Sequence, residues 1–462
     1  MYPSSSEVSV VGRIARVLTI AGSDSGGGAG IQADLKTFAA LGVYGMSAIT
    51  AVTAQNTLSV TAVQPIDPQI VREQIRAVVS DIGVDVVKTG MLYTCDIIEA
   101  VAEELSQLKV PIVVDPVMVA KSGAKLLKDD AEEALIKKIL PLATIVTPNL
   151  PEAEKLAKMS IKSLEDAEEA AKKVAALGPK AVVVKGGHLE QDECVDTLYY
   201  DGVVKRYSGK RVSGGTHGTG CTFASAIAAL LAKGYDVYES VEGAKRFVED
   251  AITYSERVGS GVAPISPLGK TVLDAEKMRV LEKISEGVSL LEANPAFAQY
   301  IPECQTNIAM ALPQPKTLED VAAIPGRIVN ALGRAKASGC PKFGASRHLA
   351  STLLAVSEYT PSVRAALNIR FDENLLGAAR RLGYLCSDYD RSKEPPEVKA
   401  VEGETTKWGA REAIKKVGAV PDLIFHRGDW GKEAMIVILG KDAVDAVKKA
   451  LKIIEAAKQK KP

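Results

Sequence analysis

An excess of charge of one sign, a paired-cysteine pattern and a membrane-length apolar run are all missing from this chain. Lys+Arg and Asp+Glu both number 57 over 462 residues, so the formal net charge is zero, and no basic block stands out. That argues against nucleic acid as the main partner. The six cysteines, at 95, 194, 221, 304, 340 and 386, form no CxxC and no paired spacing. They read as reduced thiols of a cytoplasmic protein, neither a disulfide frame nor a zinc site. The first residues lack the basic-then-apolar pattern of a secretion signal. No charged residue falls between Lys36 and Asp67, but the stretch holds Thr50, Thr53, Gln55, Asn56 and Thr57. It reads as buried strand and loop, not a membrane span.

What is present is richer. His217-Gly218-Thr219-Gly220-Cys221-Thr222 stands directly before a helical pattern, Phe223 to Lys233. Such a turn exposes backbone N–H groups at the positive end of a helix, which binds anions, phosphate above all. A thiol there has its thiolate stabilised, so the Cys221 pKa is expected to fall. Cys221 is therefore a candidate base or nucleophile beside a phosphate, set against the plainer reading of a buried small residue.

Residues 14–265 alternate β-branched runs (Arg16–Ile20, Ala48–Ala51, Val84–Val87, Ile112–Val114, Thr144–Val146, Ala181–Val184) with helical patterns (Ile31–Leu41, Pro68–Val79, Asp96–Leu108, Ala131–Ile139, Leu164–Ala176). The pattern predicts an α/β fold, a mostly parallel sheet covered by helices on both faces. Ligands in such sheets bind beyond the C-terminal strand ends. Gly259-Ser260-Gly261 and the prolines at 264 and 267 read as a linker. A helical segment, about Asp274 to Glu292, leads into a second, smaller α/β domain.

The unusual sequences follow the strands. Ala21 to Gly30 is glycine-rich but is neither a Walker A loop nor a GxGxxG fingerprint. Thr147-Pro148-Asn149-Leu150-Pro151-Glu152 sets Asn149 and Glu152 three apart, and Asp115 ends the strand Ile112–Val114. These three can supply oxygen to a magnesium ion or its waters. Asn149 and Glu152 equally fit a helix capping box. Lys185-Gly186-Gly187-His188 offers a cation and close backbone to a nucleotide phosphate, or is a solvated lysine before a turn.

Residues 15–265 closely resemble the hydroxymethylpyrimidine/phosphomethylpyrimidine kinases of the ribokinase-like superfamily. The resemblance rests on AGSDSGGGAGIQADLKTF at 21–38, YGMSAITAVTAQNT at 44–57, KTGML at 88–92, DPVMVAKSG at 115–123, TPNLPEAE at 147–154, VKGGH at 184–188 and HGTGCT at 217–222. Ser25-Gly26 departs from the Pro-Ser usual there. The resemblance implies that Gln55 reads the aminopyrimidine edge, with Gly22, Asp34, Met91 and Val117 lining the same pocket. It implies ATP and Mg²⁺, with Asp115, Asn149 and Glu152 at the magnesium–triphosphate site, beside the Lys185 that the sequence itself offers to phosphate. Gly218, Thr219 and Gly220 would form the anion hole for the transferred phosphoryl group, and Cys221 would be the general base. Related kinases imply a homodimer.

The second region gathers Arg327 after Pro325-Gly326, Arg347 and His348 after Phe343-Gly344, Asn368 and Arg370 in an extended run, and Asp429 in RGDWGKE. Arginines and a histidine beside glycine turns suggest an anion pocket, although surface arginines with a capping histidine are the plainer reading of the residues alone. Residues 290–460 resemble the archaeal-type thiamine-phosphate synthase domain, through TNIAMALP at 306–313, VAAIPGRIVN at 321–330, FGASRHLA at 343–350, NIRF at 368–371 and PDLIFHRGDWGKEAMIVILG at 421–440. That implies central roles for Arg327 and His348, with Ser346, Asn368, Arg370 and Asp429 as further pocket candidates. The expected domains are 1–265 (kinase), 266–290 (linker and helix) and 291–462 (synthase). The implied product is thiamine monophosphate, made from small molecules without nucleic acid or membrane. A pyridoxal kinase, and a second domain that senses thiamine phosphates without catalysis, are the alternatives.

Overall fold

The structure is a computed structural model and describes residues 13–119, 123, 126–128, 130–186, 193–399 and 404–459. Gly187 and His188, and residues 120–122 of the DPVMVAKSG motif, lie outside the described residues. The chain divides into two compact units, residues 1–272 and 273–462. Among the described residues no helix is long and apolar enough to cross a membrane.

The first unit is built on an eight-stranded sheet in the order Val203–Lys210, Glu193–Tyr200, Ala181–Val184, Ile145–Val146, Ile112–Val114, Val86–Thr89, Arg16–Ala21, Tyr44–Ile49. The last six run parallel, and the first two join antiparallel at the edge. The short parallel strands are buried on both faces, which is why they read as continuous apolar runs. Leu18, Ile20, Val87, Val114 and Val182 face one core; Val17, Val86, Val113 and Val183 face the other. Helices such as Pro68–Asp81 and Cys95–Ser106 cover the first face, and Gly30–Ala40, Thr219–Ala232 and Val237–Thr253 cover the second. All six parallel strands therefore deliver their C-terminal loops to one edge.

Two expectations need correction. The uncharged stretch after Lys36 is not buried throughout. Ala51–Gln55 and Val60–Pro65 form a separate antiparallel hairpin, with Val52 48% and Leu58 63% exposed. Asn56 closes its turn by accepting from the amides of Leu58 and Ser59, so threonine and amide groups stand in for charge as the solvated surface. Nor is the Gly259 segment a free linker. Gly261 and Val262 donate to Thr57, Thr216 and His217 donate to Ala263 O, and Ile265 donates to His217 O. It is a strap of the first unit.

The second unit carries a seven-stranded sheet: Lys342–Phe343, Val321–Ala323, Ile308–Ala311, Ala365–Arg370, Met435–Gly440, Leu423–His426, Cys386–Asp388. Every pairing is antiparallel except the last. Side-chain alternation splits its residues between two cores: Leu367 and Ile369 pack with helices Gly269–Glu292, Glu373–Arg381 and Ala443–Lys458, while Ala366 packs with helices Arg347–Ser357 and Glu404–Val417.

Candidate active sites

The strand ends of the first unit surround a cavity of about 910 Å³. Its wall takes in Gly22, Gln55, Met91, Val117, Asp115, Asn149, Glu152, Lys185 and residues 216–221. Residues scattered over 200 positions of sequence are thus gathered in one space. Met91 packs with Ala51 and Leu126, beside Val117, as a small apolar patch of that wall.

The glycine-rich loop and the 216–220 turn lock together. Asp24, 1% exposed, accepts from the amides of Gly26, Gly28 and Ala29 and faces His217 Nε2 at 3.0 Å. Burial pushes its carboxyl up, but His217 and the amides of Ala29 and Gly26 outweigh this and hold it below the ordinary range. Gly218 starts the helix Thr219–Ala232 at φ 86°, and a Cβ there would meet Gly28 O at 1.8 Å. Only glycine fits that conformation and that approach. The first-turn amides of the helix have no acceptor within it, which leaves them for an anion.

Cys221 follows on that first turn, and the expected fall in its pKa does not occur. Burial pushes the thiol up to about 12, with Asp115 and Asp34 adding to the rise; Lys88 and the Gly30 amide pull only part of the way back. Desolvation of a thiolate outweighs the helix end here.

Asp34 also departs from expectation. It does not line the cavity but lies completely buried behind it. Its carboxylate accepts from Lys88 Nζ at 2.9 and 3.0 Å, from Thr19 Oγ1 at 2.6 Å and from Ser225 Oγ at 2.7 Å. It therefore ties the first strand, the first helix, the strand Val86–Thr89 and the helix after Cys221 to one point. Burial opposes a charge on Lys88, but Asp34 and Cys221 raise its pKa well above that of a free lysine. Lys88 reaches the cavity wall, and Asp34 does not.

On the neighbouring strand ends, Lys185 Nζ bonds Asp115 Oδ1 at 3.0 Å, and both lie beside Gly220. Burial disfavours the Lys185 charge, but Asp115 and Glu152 raise its pKa, so this lysine is held inside the cavity rather than solvated. Asn149 and Glu152 do form a capping box: each accepts the other's backbone amide, at 2.8 and 2.9 Å. Burial pushes Glu152 up to about 7, with Lys185 opposing and Asp115 reinforcing. Capping and ion binding are compatible. Asp115, Asn149 and Glu152 are hard oxygen donors partly engaged already, and among the described residues no group of three or more His, Cys, Asp or Glu side chains forms a closed cage. That donor set fits a magnesium ion that keeps waters and leans on phosphate.

In the second unit, one sheet edge gathers most of the candidates. Arg327 lies in the turn between the strands Val321–Ala323 and Ile328–Ala331, at φ 67° after Gly326 at φ 69°, and its guanidinium donates to Cys304 O. Asn368, 5% exposed, accepts from the Asn307 amide at 2.7 Å and donates to Gln305 O at 3.0 Å. Glu433 accepts from the amides of Glu303 and Cys304 at 2.9 and 3.1 Å. Residues 303–307 are thus pinned by Arg327, Asn368 and Glu433 together. Arg370 stands exposed at the strand end, and Asp429 caps a tight turn by accepting from Trp430. Ser346 and His348 come after Gly344, whose amide donates to Val321 O at the start of the strand Val321–Ala323, whereas Arg327 follows the far end of that strand. The strand pairing by itself does not place them at the Arg327 edge.

These two units match two known families in series. Residues 24–266 match Phosphomethylpyrimidine kinase, and residues 283–452 match Thiamine-phosphate synthase ThiN. A bifunctional thiamine biosynthesis protein of Methanocaldococcus jannaschii is 34% identical over 94% of this chain and 97% of its own. The chain belongs to this bifunctional thiamine-biosynthesis family. Its first domain is an ATP-using kinase and its second a thiamine-phosphate synthase domain. A hydroxymethylpyrimidine/phosphomethylpyrimidine kinase of Bacillus subtilis is 47% identical over 54% of this chain and 94% of its own. The crystal structure of a Bacillus subtilis pyridoxal kinase bound to ADP shares 43% identity and a TM-score of 0.53, over 56% of this chain and all of that one. The ribokinase-like fold of the first domain is thereby confirmed.

Sequence reasoning passed over Lys88, Asp24, His217, Cys304 and Glu433. A signal existed for Asp34 and its partner: Asp34 falls three residues after Ile31 and four before Phe38, on the apolar stripe of its helix. A charge on that stripe calls for a buried partner.

Proposed function

We propose that the kinase domain phosphorylates hydroxymethylpyrimidine and then its monophosphate, and that the second domain joins the resulting diphosphate to a thiazole phosphate. The carrying observation is the single cavity of about 910 Å³ that combines the Gln55 amide and the Met91–Val117 wall with Lys185, Asp115 and the 218–220 amides. An amide offers one donor and one acceptor to a ring edge, and the apolar wall suits the ring's face. The helix amides and Lys185 meet the charge on the transferred phosphoryl group. A bound magnesium ion, held through Asp115, Asn149 and Glu152, supplies further neutralisation of the triphosphate. Phosphoryl transfer depends on positioning and charge more than on a strong base. Cys221, whose thiol burial pushes up to about 12, stays protonated and serves only as a hydrogen-bond partner to the attacking hydroxyl, whose proton leaves to an oxygen of the transferred phosphoryl group.

In the synthase domain, the thiazole nitrogen attacks the methylene carbon while pyrophosphate leaves. Arg327 stabilises the leaving charge. His348 bonds phosphate or acts as an acid, and Ser346, Arg370 and Asp429 complete the pocket. Asn368 serves by holding residues 305–307. The likeness to pyridoxal kinases favours a second reading for the first domain; Gln55 within TAQNT favours the pyrimidine. We place the enzyme in the cytoplasm, as a homodimer acting on small molecules.

Purified protein supplied with hydroxymethylpyrimidine, hydroxyethylthiazole phosphate, ATP and magnesium is expected to yield thiamine monophosphate. Pyrimidine diphosphate without that product would turn the second domain into a sensor. Phosphorylation of pyridoxal alone would replace the pyrimidine reading.

A further inference from the structure

Gln55 is held from several sides. Ser25 Oγ accepts its backbone amide at 2.7 Å and donates to its carbonyl at 2.6 Å. Its side-chain amide lies between two polar groups: Nε2 is 3.4 Å from His217 Nε2, and Oε1 is 3.4 Å from Thr53 Oγ1. A half-turn of the amide exchanges its oxygen and nitrogen without changing its shape, so the protons around it decide which orientation holds.

Those protons are assigned by neighbours. Asp24 is ionised, buried and surrounded by three backbone amides, so it only accepts. His217 Nε2, 3.0 Å from Asp24 Oδ2, must therefore carry a proton. That N–H, aimed first at Asp24, cannot accept from the Gln55 amide nitrogen, whereas an amide oxygen at 3.4 Å shares it as a second, weaker acceptor. On the other side, the single proton of Thr53 Oγ1 goes to Ser23 O at 2.8 Å. Thr53 can then only accept from Gln55. Both sides favour the half-turned amide, with oxygen toward His217 and nitrogen toward Thr53. The imidazole itself is fixed: the His217 backbone bonds Ala263 and Ile265, and its ring packs on Gly28.

We propose that Asp24 and His217 are positioning residues that fix the orientation of the Gln55 amide, and so select a ring edge with an amino group beside a ring nitrogen. The remaining lone pair of Oε1 and the remaining N–H of Nε2 then form an ordered acceptor–donor pair facing the cavity. An amino group enters on the His217 side and a ring nitrogen on the Thr53 side. A pyridine ring lacking that pair leaves one amide group unmatched, the usual basis of strong discrimination. This inference rests on the pyrimidine reading of the kinase site.

The test is steady-state kinetics of the full chain with hydroxymethylpyrimidine and with pyridoxal as acceptor, varying ATP separately. His217→Phe keeps a flat ring but removes the N–H. It is expected to raise the pyrimidine KM and cut the pyrimidine-over-pyridoxal preference by about fivefold, the worth of one lost neutral hydrogen bond, with a smaller change in kcat. The KM for ATP should rise less than that for the pyrimidine, the loss of the His217–Asp24 contact loosening the 216–220 turn without removing a group on the nucleotide. His217→Gln offers an amide N–H near the position of Nε2 and should recover most of the preference. A pyrimidine KM and preference unchanged in His217→Phe would overturn the proposal. So would a rise in ATP KM equal to that for the pyrimidine, which would mark a merely structural loss. If the unmodified protein phosphorylates pyridoxal but no pyrimidine, the functional reading falls, and this inference with it.

Discussion

The two domains share a layered α/β plan, yet strand direction separates them. In the kinase domain six parallel strands send every C-terminal loop to the same edge, and Asp115, Lys185, Asn149 and the glycine-rich loop meet in one large cavity. In the synthase domain the antiparallel pairings send successive loops to opposite edges. Arg327, Arg370, Asp429 and Glu433 fall at one edge, while Gly344, which leads to Ser346 and His348, pairs at the other. A depression of about 450 Å³ in this domain, lined by Tyr359, Ile414 and Val420, holds none of the candidates. A parallel sheet concentrates chemistry by topology; an antiparallel one needs side chains and straps, such as the pinning of residues 303–307, to assemble a site.

The largest test of that contrast is Gly218→Ala. A methyl group 1.8 Å from Gly28 O, at φ 86°, must displace the anion-binding turn. Kinase kcat is expected to fall by roughly 10³-fold or more, on the scale of lost oxyanion donors, with condensation of supplied pyrimidine diphosphate unchanged. Cys221→Ala is expected to cost less, about 10-fold in kcat, because a thiol that stays protonated contributes a positioning hydrogen bond and no base. Rapid-quench kinetics would separate the two; a Cys221→Ala loss larger than that of Gly218→Ala would restore the thiol as a strong base.

Stability offers a further comparison. Lys88→Met strands the fully buried Asp34 carboxylate and should cost about 3–5 kcal/mol. Adding Asp34→Asn should recover much of that, as read by denaturant unfolding of the kinase domain's transition. In the synthase domain, burial, with Arg391 adding, pushes His426 down to about 4. A histidine with a depressed native pKa contributes stability that is present above its unfolded value near 6.5 and lost as pH falls toward 4. The loss is about 3 kcal/mol. His426→Phe should flatten that slope for the second transition and leave the first alone. An unchanged slope would remove His426 as its source.

The same contrast explains what was legible. Buried parallel strands announce themselves as β-branched runs, and loops after them as glycine and Thr-Pro-Asn motifs, so the kinase sheet and most of its cavity could be read directly. The hairpin Ala51–Pro65 escaped because an uncharged run looks buried while its threonines and amides solvate it. The depressed thiol of Cys221 was expected from its helix end alone. The rest of its helix, FASAIAALLA, apolar but for Ser225, was the sign that burial would win. Arg327 was legible after Pro-Gly. Cys304 and Glu433, far from it in sequence and joined to it only through backbone bonds, were not.

The central claim is that one chain carries two catalytic sites that work independently and in series. Its most direct test mixes two variants, Gly218→Ala and Arg327→Ala, with hydroxymethylpyrimidine, hydroxyethylthiazole phosphate, ATP and magnesium. Alone, the first should form no diphosphate, and the second should accumulate it without thiamine monophosphate. Mixed, they should make thiamine monophosphate, each supplying the domain the other lacks. Arg327→Ala forming thiamine monophosphate alone, or a mixture that accumulates diphosphate and goes no further, would contradict the account.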